Sequence, residues 1–177
     1  MKTTLFKLLL CAIPTLLLTG SLPVTAGELT AKIVIPELDV AEYHRPYVAV
    51  WIETPERELI QHIAVWYDTE MENKEGETWL KDLRQWWRKG GRSLQMPVEA
   101  VSGPTKPVGE HEISIPLDSP LLSKLKPGPY FFVVEASREV GGREMQRVPF
   151  EWSLTPKIDE EVQGETELGK ITLKSNS

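Results

Sequence analysis

Cysteine is almost missing from this chain: the single one, Cys11, lies inside an N-terminal apolar run. Residues 1–26 read as a cleaved export signal. Lys2 and Lys7 supply a positive start, residues 8–18 are apolar apart from Pro14 and Thr15, and Val24, Thr25 and Ala26 make a small-residue exit. Cleavage there removes Cys11, so the mature chain is expected outside the cytoplasm with neither disulfide nor thiolate. The apolar run is also too short for a permanent membrane helix.

Positive charge is scarce as well. The chain has 20 basic and 26 acidic side chains; without Lys2 and Lys7, 18 face 26, a net charge of −8. That excludes duplex nucleic acid, which needs a concentrated basic face, and anchoring on anionic lipid. Only three histidines occur, His44, His62 and His111. No two show the short spacing of a zinc site, so no metal is expected. A recognisable Ser–His–acid set is lacking, and Ser102-Gly103 has no flanking glycine of a nucleophile elbow. No enzyme activity is expected.

What is present points to a core. Six tryptophans and abundant apolar residues exclude disorder for most of the chain. Residues 27–155 are expected to form one domain, followed by an acidic C-terminal segment, 156–177, with a possible last strand at 168–174. Leu29, Ala31, Ile33 and Ile35 alternate with less apolar positions, which predicts a half-buried strand stopped by Pro36. Residues 47–52 are apolar on both faces and read as a central strand. In residues 59–67, Ile63, Val65 and Tyr67 fall on one face and His62, Ala64 and Trp66 on the other. Further strands are expected at 110–116, 130–136, 146–154 and 171–173, with a hairpin turn at residues 140–143.

The period changes once. Trp79, Leu80, Leu83, Trp86 and Trp87 follow helical spacing, which predicts one amphipathic helix over about residues 78–89, capped by Thr78 and stopped by Gly90 and Gly91. Asp68 to Glu77 reads as an acidic loop. The expected fold class is all-β: an immunoglobulin-like β-sandwich of seven to eight antiparallel strands with that helix inserted. A closed barrel is the alternative.

Three segments are richer in polar and aromatic groups than a sandwich needs. Tyr43, His44, Arg45 and Tyr47 cluster before the central strand, as a ligand or partner surface or as a turn bonded to itself. Arg84, Trp86, Trp87 and Arg88 suit stacking on a planar ring with a guanidinium on a phosphate, or the Trp stripe is core packing. Ser102 and Thr105 present hydroxyls in a Gly/Pro loop beside Lys106. Arg138, Glu139, Arg143 and Glu144 flank the hairpin turn. Pairing would set Arg138 near Glu144 and Glu139 near Arg143, as a cross-strand charge pair or as the polar rim of a cleft with residues 43–47.

The string YHRPYVAVWI at 43–52, the 79–87 helix, Ser102-Gly103 with Gly109, and residues 138–144 carry a resemblance. Together they resemble the predicted periplasmic family catalogued as domain of unknown function 2271. The resemblance implies export, and association with membrane flavin electron transfer and iron reduction through partners with PepSY-type reductase domains. Periplasmic flavin transferases esterify flavin mononucleotide (FMN) to a hydroxyl in an Asp-x-x-Ser/Thr-Gly-Ala-Thr/Ser motif. Here Glu99, Ser102, Gly103, Pro104 and Thr105 are similar in spacing, with Glu99 in place of the acid and Pro104 in place of the alanine. Pro104 restricts its own φ and the residue before it.

Two readings follow. In the first the chain is an exported, non-catalytic accessory or binding protein serving flavin-dependent electron transfer. In the second it carries FMN itself, linked to Thr105, with Ser102, Trp86 and Arg84 as further contacts and Arg45 or Arg138 on the phosphate.

Overall fold

A computed structural model describes residues 27–176; the export signal read over residues 1–26 lies outside them. Nine strands follow in chain order: β1 (Glu28–Ile35), β2 (Tyr47–Glu53), β3 (Leu59–Tyr67), β4 (Ser102–Pro104), β5 (Gly109–Pro116), β6 (Gly128–Ser137), β7 (Arg143–Trp152), β8 (Asp159–Gln163) and β9 (Lys170–Asn176). They form two sheets, ordered β5-β1-β9-β8 and β4-β3-β2-β6-β7. Every pairing is antiparallel except β3 with β4. The architecture is the two-sheet sandwich, not a barrel.

The alternating strand behaves as its pattern requires. Leu29, Ala31, Ile33 and Ile35 are buried, and they meet Val48, Val50, Ile52, Phe132 and Val134 from the facing sheet. β2 is apolar on both sides because its sheet is covered on both sides. Its second face, carrying Ala49 and Trp51 with Val65, Tyr67 and Val133, lies under Leu80, Leu83 and Trp86. The segment between β3 and β4 therefore closes a second, smaller core.

Four expectations need correction. First, β3 does not alternate throughout. Trp51 pairs with His62 where Val50 pairs with Ala64, so Ile63 is an extra residue. This bulge turns Ile63 into the main core beside Ala64 and Trp66, and His62 toward the helical layer with Val65 and Tyr67.

Second, the single helix over 78–89 is broken. A short helix α1 (Glu75–Thr78) starts inside the stretch read as a loop, a 3-10 turn spans Trp79–Asp82, and α2 spans Arg84–Lys89. Leu83 between them has ψ 70°, and Thr78 makes no side-chain cap. The break takes Trp79 off the Trp86 face and leaves it 43 % exposed.

Third, the hairpin register is shifted. Ser137 faces Arg143 and Ala136 faces Glu144, so Arg138 and Glu139 belong to the loop and the cross-strand charge pairs do not form.

Fourth, the acidic C-terminal stretch is part of the sandwich. β8 pairs with β9, which pairs with β1, and Ile158, Glu167 and Leu168 are buried. Its charge shows because β8 is an exposed edge strand.

Candidate functional site

β2 begins, β3 and β4 end, β6 ends and β7 begins at the same end of the five-stranded sheet, because antiparallel neighbours exchange their ends. Segments distant in sequence therefore meet there. They enclose a cleft of about 920 Å³ lined by Tyr43, His44 and Arg45 before β2, by Tyr47 at its start, and by Asp68 and Met71 after β3. Trp79, Asp82 and Arg84 come from the helical layer, Thr105 follows β4, and residues 137–143 close the remaining side. The size lies within the roughly 300–1,000 Å³ typical of small-molecule sites.

The 43–47 segment, Arg84, Thr105 and the 138–143 loop thus share one cleft. Trp86 and Ser102 do not line it. Trp86 is fully buried: its indole Nε1 donates to His62 Nδ1 at 3.0 Å and its ring packs in the second core, so the helical stripe is packing. Ser102 Oγ accepts the Val98 N–H at 2.8 Å. Thr105 is half-buried, and its N–H donates to the Tyr67 carbonyl at 3.1 Å, extending the β4 pairing to the cleft wall.

The arginines differ in commitment. Arg138 is 8 % exposed and grips Glu167 with two bonds, Nε to Oε2 at 2.9 Å and Nη2 to Oε1 at 3.0 Å. Arg143 reaches Glu135 only at 3.8 Å. That carboxylate is already occupied, accepting the N–H groups of Gln85 and Trp86 at the start of α2. Burial pushes the Glu135 carboxyl up, with those two N–H groups and Arg143 opposing. Among the described residues, Arg45 and Arg84 enter no ion pair. His44 sits between two acids, Nε2 at 2.9 Å from Glu42 and Nδ1 at 3.6 Å from Glu139. Burial raises the Tyr43 phenol, against the pull of Arg138, and burial also raises that of Tyr47. At neutral pH both are neutral donors and acceptors.

Sequence reasoning missed Asp68, Met71, Trp79 and Asp82 as members of this site. Trp79 carried a signal, but one assigned to the helical stripe; the two acids and Met71 carried none, since they sat in a segment read as an acidic loop or on the polar side of the helix. Among the described residues no group of three metal-ligating side chains exists, and no helix is long and apolar enough to cross a membrane.

Fold and site together define a β-sandwich with an arginine- and aromatic-lined cleft at one end. The chain belongs to the family described as predicted periplasmic protein, domain of unknown function 2271, whose model matches residues 28–170. That description places the protein in the periplasm, in accord with the leader read over residues 1–26. No curated protein and no solved structure matches it.

Proposed function

We propose that this periplasmic protein is a non-catalytic binding protein serving membrane flavin-dependent electron transfer or iron reduction, and that its end cleft is where it meets flavin. One observation carries the reading: Arg45, Arg84 and Arg143, little committed within the chain, share a cleft with Tyr43, Tyr47 and Trp79. Guanidinium groups suit a phosphate and aromatic faces suit a planar ring. The flavin would supply the redox chemistry; the chain would orient it and exclude water from one side. The electron donor would be a membrane partner such as a PepSY-type reductase.

A second reading has FMN esterified to Thr105 by a periplasmic flavin transferase. Its support is the position of Thr105 in the cleft wall, on backbone held by Tyr67. Against it stands Pro104, paired to Tyr67 in β4, which restricts the extended docking that a transferase needs.

Expression with and without a flavin transferase, followed by visible spectroscopy, intact mass and FMN titration, tests both. The binding reading expects quenching of FMN fluorescence and at least ten-fold weaker binding in Arg84→Ala. The covalent reading expects a flavin-sized mass increment that Thr105→Val abolishes. A colourless protein with no increment and no quenching would reject flavin at this site.

A further inference from the structure

The end cleft carries both signs of charge: Arg45, Arg84 and Arg143 line it together with Asp68, Asp82 and Glu139. Several of these groups have partners in the chain. Asp68 Oδ1 accepts the Glu70 N–H at 3.1 Å, Glu139 faces His44, and Arg143 reaches toward Glu135. Asp82 and Arg84 are uncommitted. Among the described residues neither enters an ion pair, with the other or with any further group.

Their shared position is a product of the fold. In an unbroken helix, residues two apart point about 200° away from each other and do not share a wall. Here Leu83 stands between them with ψ 70°, and its fully buried side chain fixes that break in the second core. Glu135 accepts the N–H groups of Gln85 and Trp86 at 3.0 and 2.8 Å, which holds the backbone directly after Arg84. A carboxylate and a guanidinium two residues apart are thereby set on one cleft wall with a rigid support. Trp79 supplies exposed aromatic surface to the same wall.

The pairing selects a ligand by its hydrogen bonding rather than its charge. A ligand group of one sign meets a like charge beside the attracting one. A purely apolar group would strip water from both side chains and replace none of its bonds. A zwitterion is matched by opposite charges set apart, not side by side. Adjacent hydroxyls fit, because each O–H both donates and accepts. One donates to the Asp82 carboxylate and its neighbour accepts from the Arg84 guanidinium, both as charge-assisted bonds.

We infer that the cleft is a polyol site, in which Asp82 and Arg84 read two adjacent hydroxyls of the ligand. Where the source is flavin the inference rests on the reading above: the ribityl chain supplies the hydroxyls and the phosphate falls to Arg45 and Arg143. A free sugar or alditol is the other source of the same chemistry.

The test titrates the mature protein with FMN, riboflavin and lumiflavin, the last a flavin ring without the polyol chain, and follows fluorescence quenching. FMN and riboflavin should bind at least ten-fold more tightly than lumiflavin. Asp82→Ala should weaken both about ten-fold and leave lumiflavin unchanged. Its Tm should stay within about 1 °C of the parent, since Asp82 is exposed. The sign is diagnostic: an acid that merely faced the phosphate would, on removal, tighten FMN. Tighter or unchanged FMN binding by Asp82→Ala would overturn the inference. So would lumiflavin binding as tightly as FMN, an outcome that leaves the flavin site standing. Where no flavin quenches, calorimetry with ribitol 5-phosphate, inorganic phosphate and free tyrosine decides. Ribitol 5-phosphate binding at least ten-fold more tightly than the other two keeps the polyol site and rejects flavin. Preference for tyrosine would mark a zwitterion site, and binding of none would remove both readings.

Discussion

Arg138 and Glu167 form a two-bond ion pair at 2.9 and 3.0 Å, with only 8 % and 4 % of each residue exposed. It ties the loop that closes the cleft to the connection between β8 and β9. Glu167 Oε1 also accepts the Gly142 N–H at 2.7 Å, so one carboxylate holds both the start and the end of the loop. Through this pair the acidic C-terminal stretch supports the site.

Removing the carboxylate strands a buried guanidinium. Glu167→Ala should destabilise the protein by about 3–5 kcal/mol, as breaking a buried pair does. Arg138→Met with Glu167→Leu should recover most of that loss, since desolvation of both charges is then avoided. Urea unfolding measures both; a double variant as unstable as the single one would show that the pair is not the cause.

Acid sensitivity should trace to Glu144. Burial alone would raise its pKa, but Gln146 and the N–H groups of Glu165, Leu168 and Thr166 outweigh it and hold the carboxyl at about 2. A depressed folded pKa means that its stabilisation is complete above the unfolded value near 4.5 and fades as pH falls toward 2. Allowing for its partial exposure to solvent, the change is roughly 1–2 kcal/mol. Unfolding of the parent and of Glu144→Gln from pH 5 to 2 should give a shallower slope for the variant. Parallel curves would assign the acid loss elsewhere.

His62 should set a second, milder dependence. Burial lowers its pKa, with Lys124 adding to the effect, so the native ring is neutral and Nδ1 accepts from Trp86. Its stabilisation is therefore complete above the unfolded value of 6.5 and declines as pH falls toward the lower folded value. His62→Asn keeps an acceptor near the indole N–H without a titrating group. Its stability should be flatter from pH 7 to 5 than that of the parent, at a cost of about 1 kcal/mol at pH 7. An unchanged slope would discount His62.

Gly91 is required by contact rather than by turn geometry. A Cβ there would stand 2.5 Å from Trp86 Cε3, and a fully buried indole has no room to yield. Gly91→Ala should cost about 1–3 kcal/mol through overpacking of the second core. Near-ultraviolet dichroism and thermal unfolding report it together. A variant with parental Tm would mean that the helical layer is looser than its packing implies.

Most of the sandwich was legible because half-buried strands leave alternation in the sequence: β1, β5 and β7 show it, and β2 shows the unbroken apolar run of a strand covered on both sides. β4 and β8 left no such trace. One has three residues and the other, on an exposed edge, is almost all polar. The break at Leu83 was hidden because the apolar stripe continues through it, and the Ile63 bulge because one extra residue leaves composition unchanged. For the site, Tyr43, Arg45, Arg84, Thr105 and Arg143 stood out as aromatic, cationic or hydroxyl groups in excess of what packing needs. Their shared location carried no local signature.

Local composition determined the compartment signal, the double-sided β2, the lack of cysteine in residues 27–176 and the segments worth suspecting, because burial periodicity and charge are written residue by residue. Which of those segments face one another was decided only by the sheet order, β4-β3-β2-β6-β7. That order brings the start of β2, the ends of β3, β4 and β6 and the start of β7 to one end. The bulge and the helix break then choose which aromatic groups are core and which are surface, as Trp86 and Trp79 show. These are outcomes of long-range pairing, in which each strand's neighbours, and not its own residues, set where its ends lie.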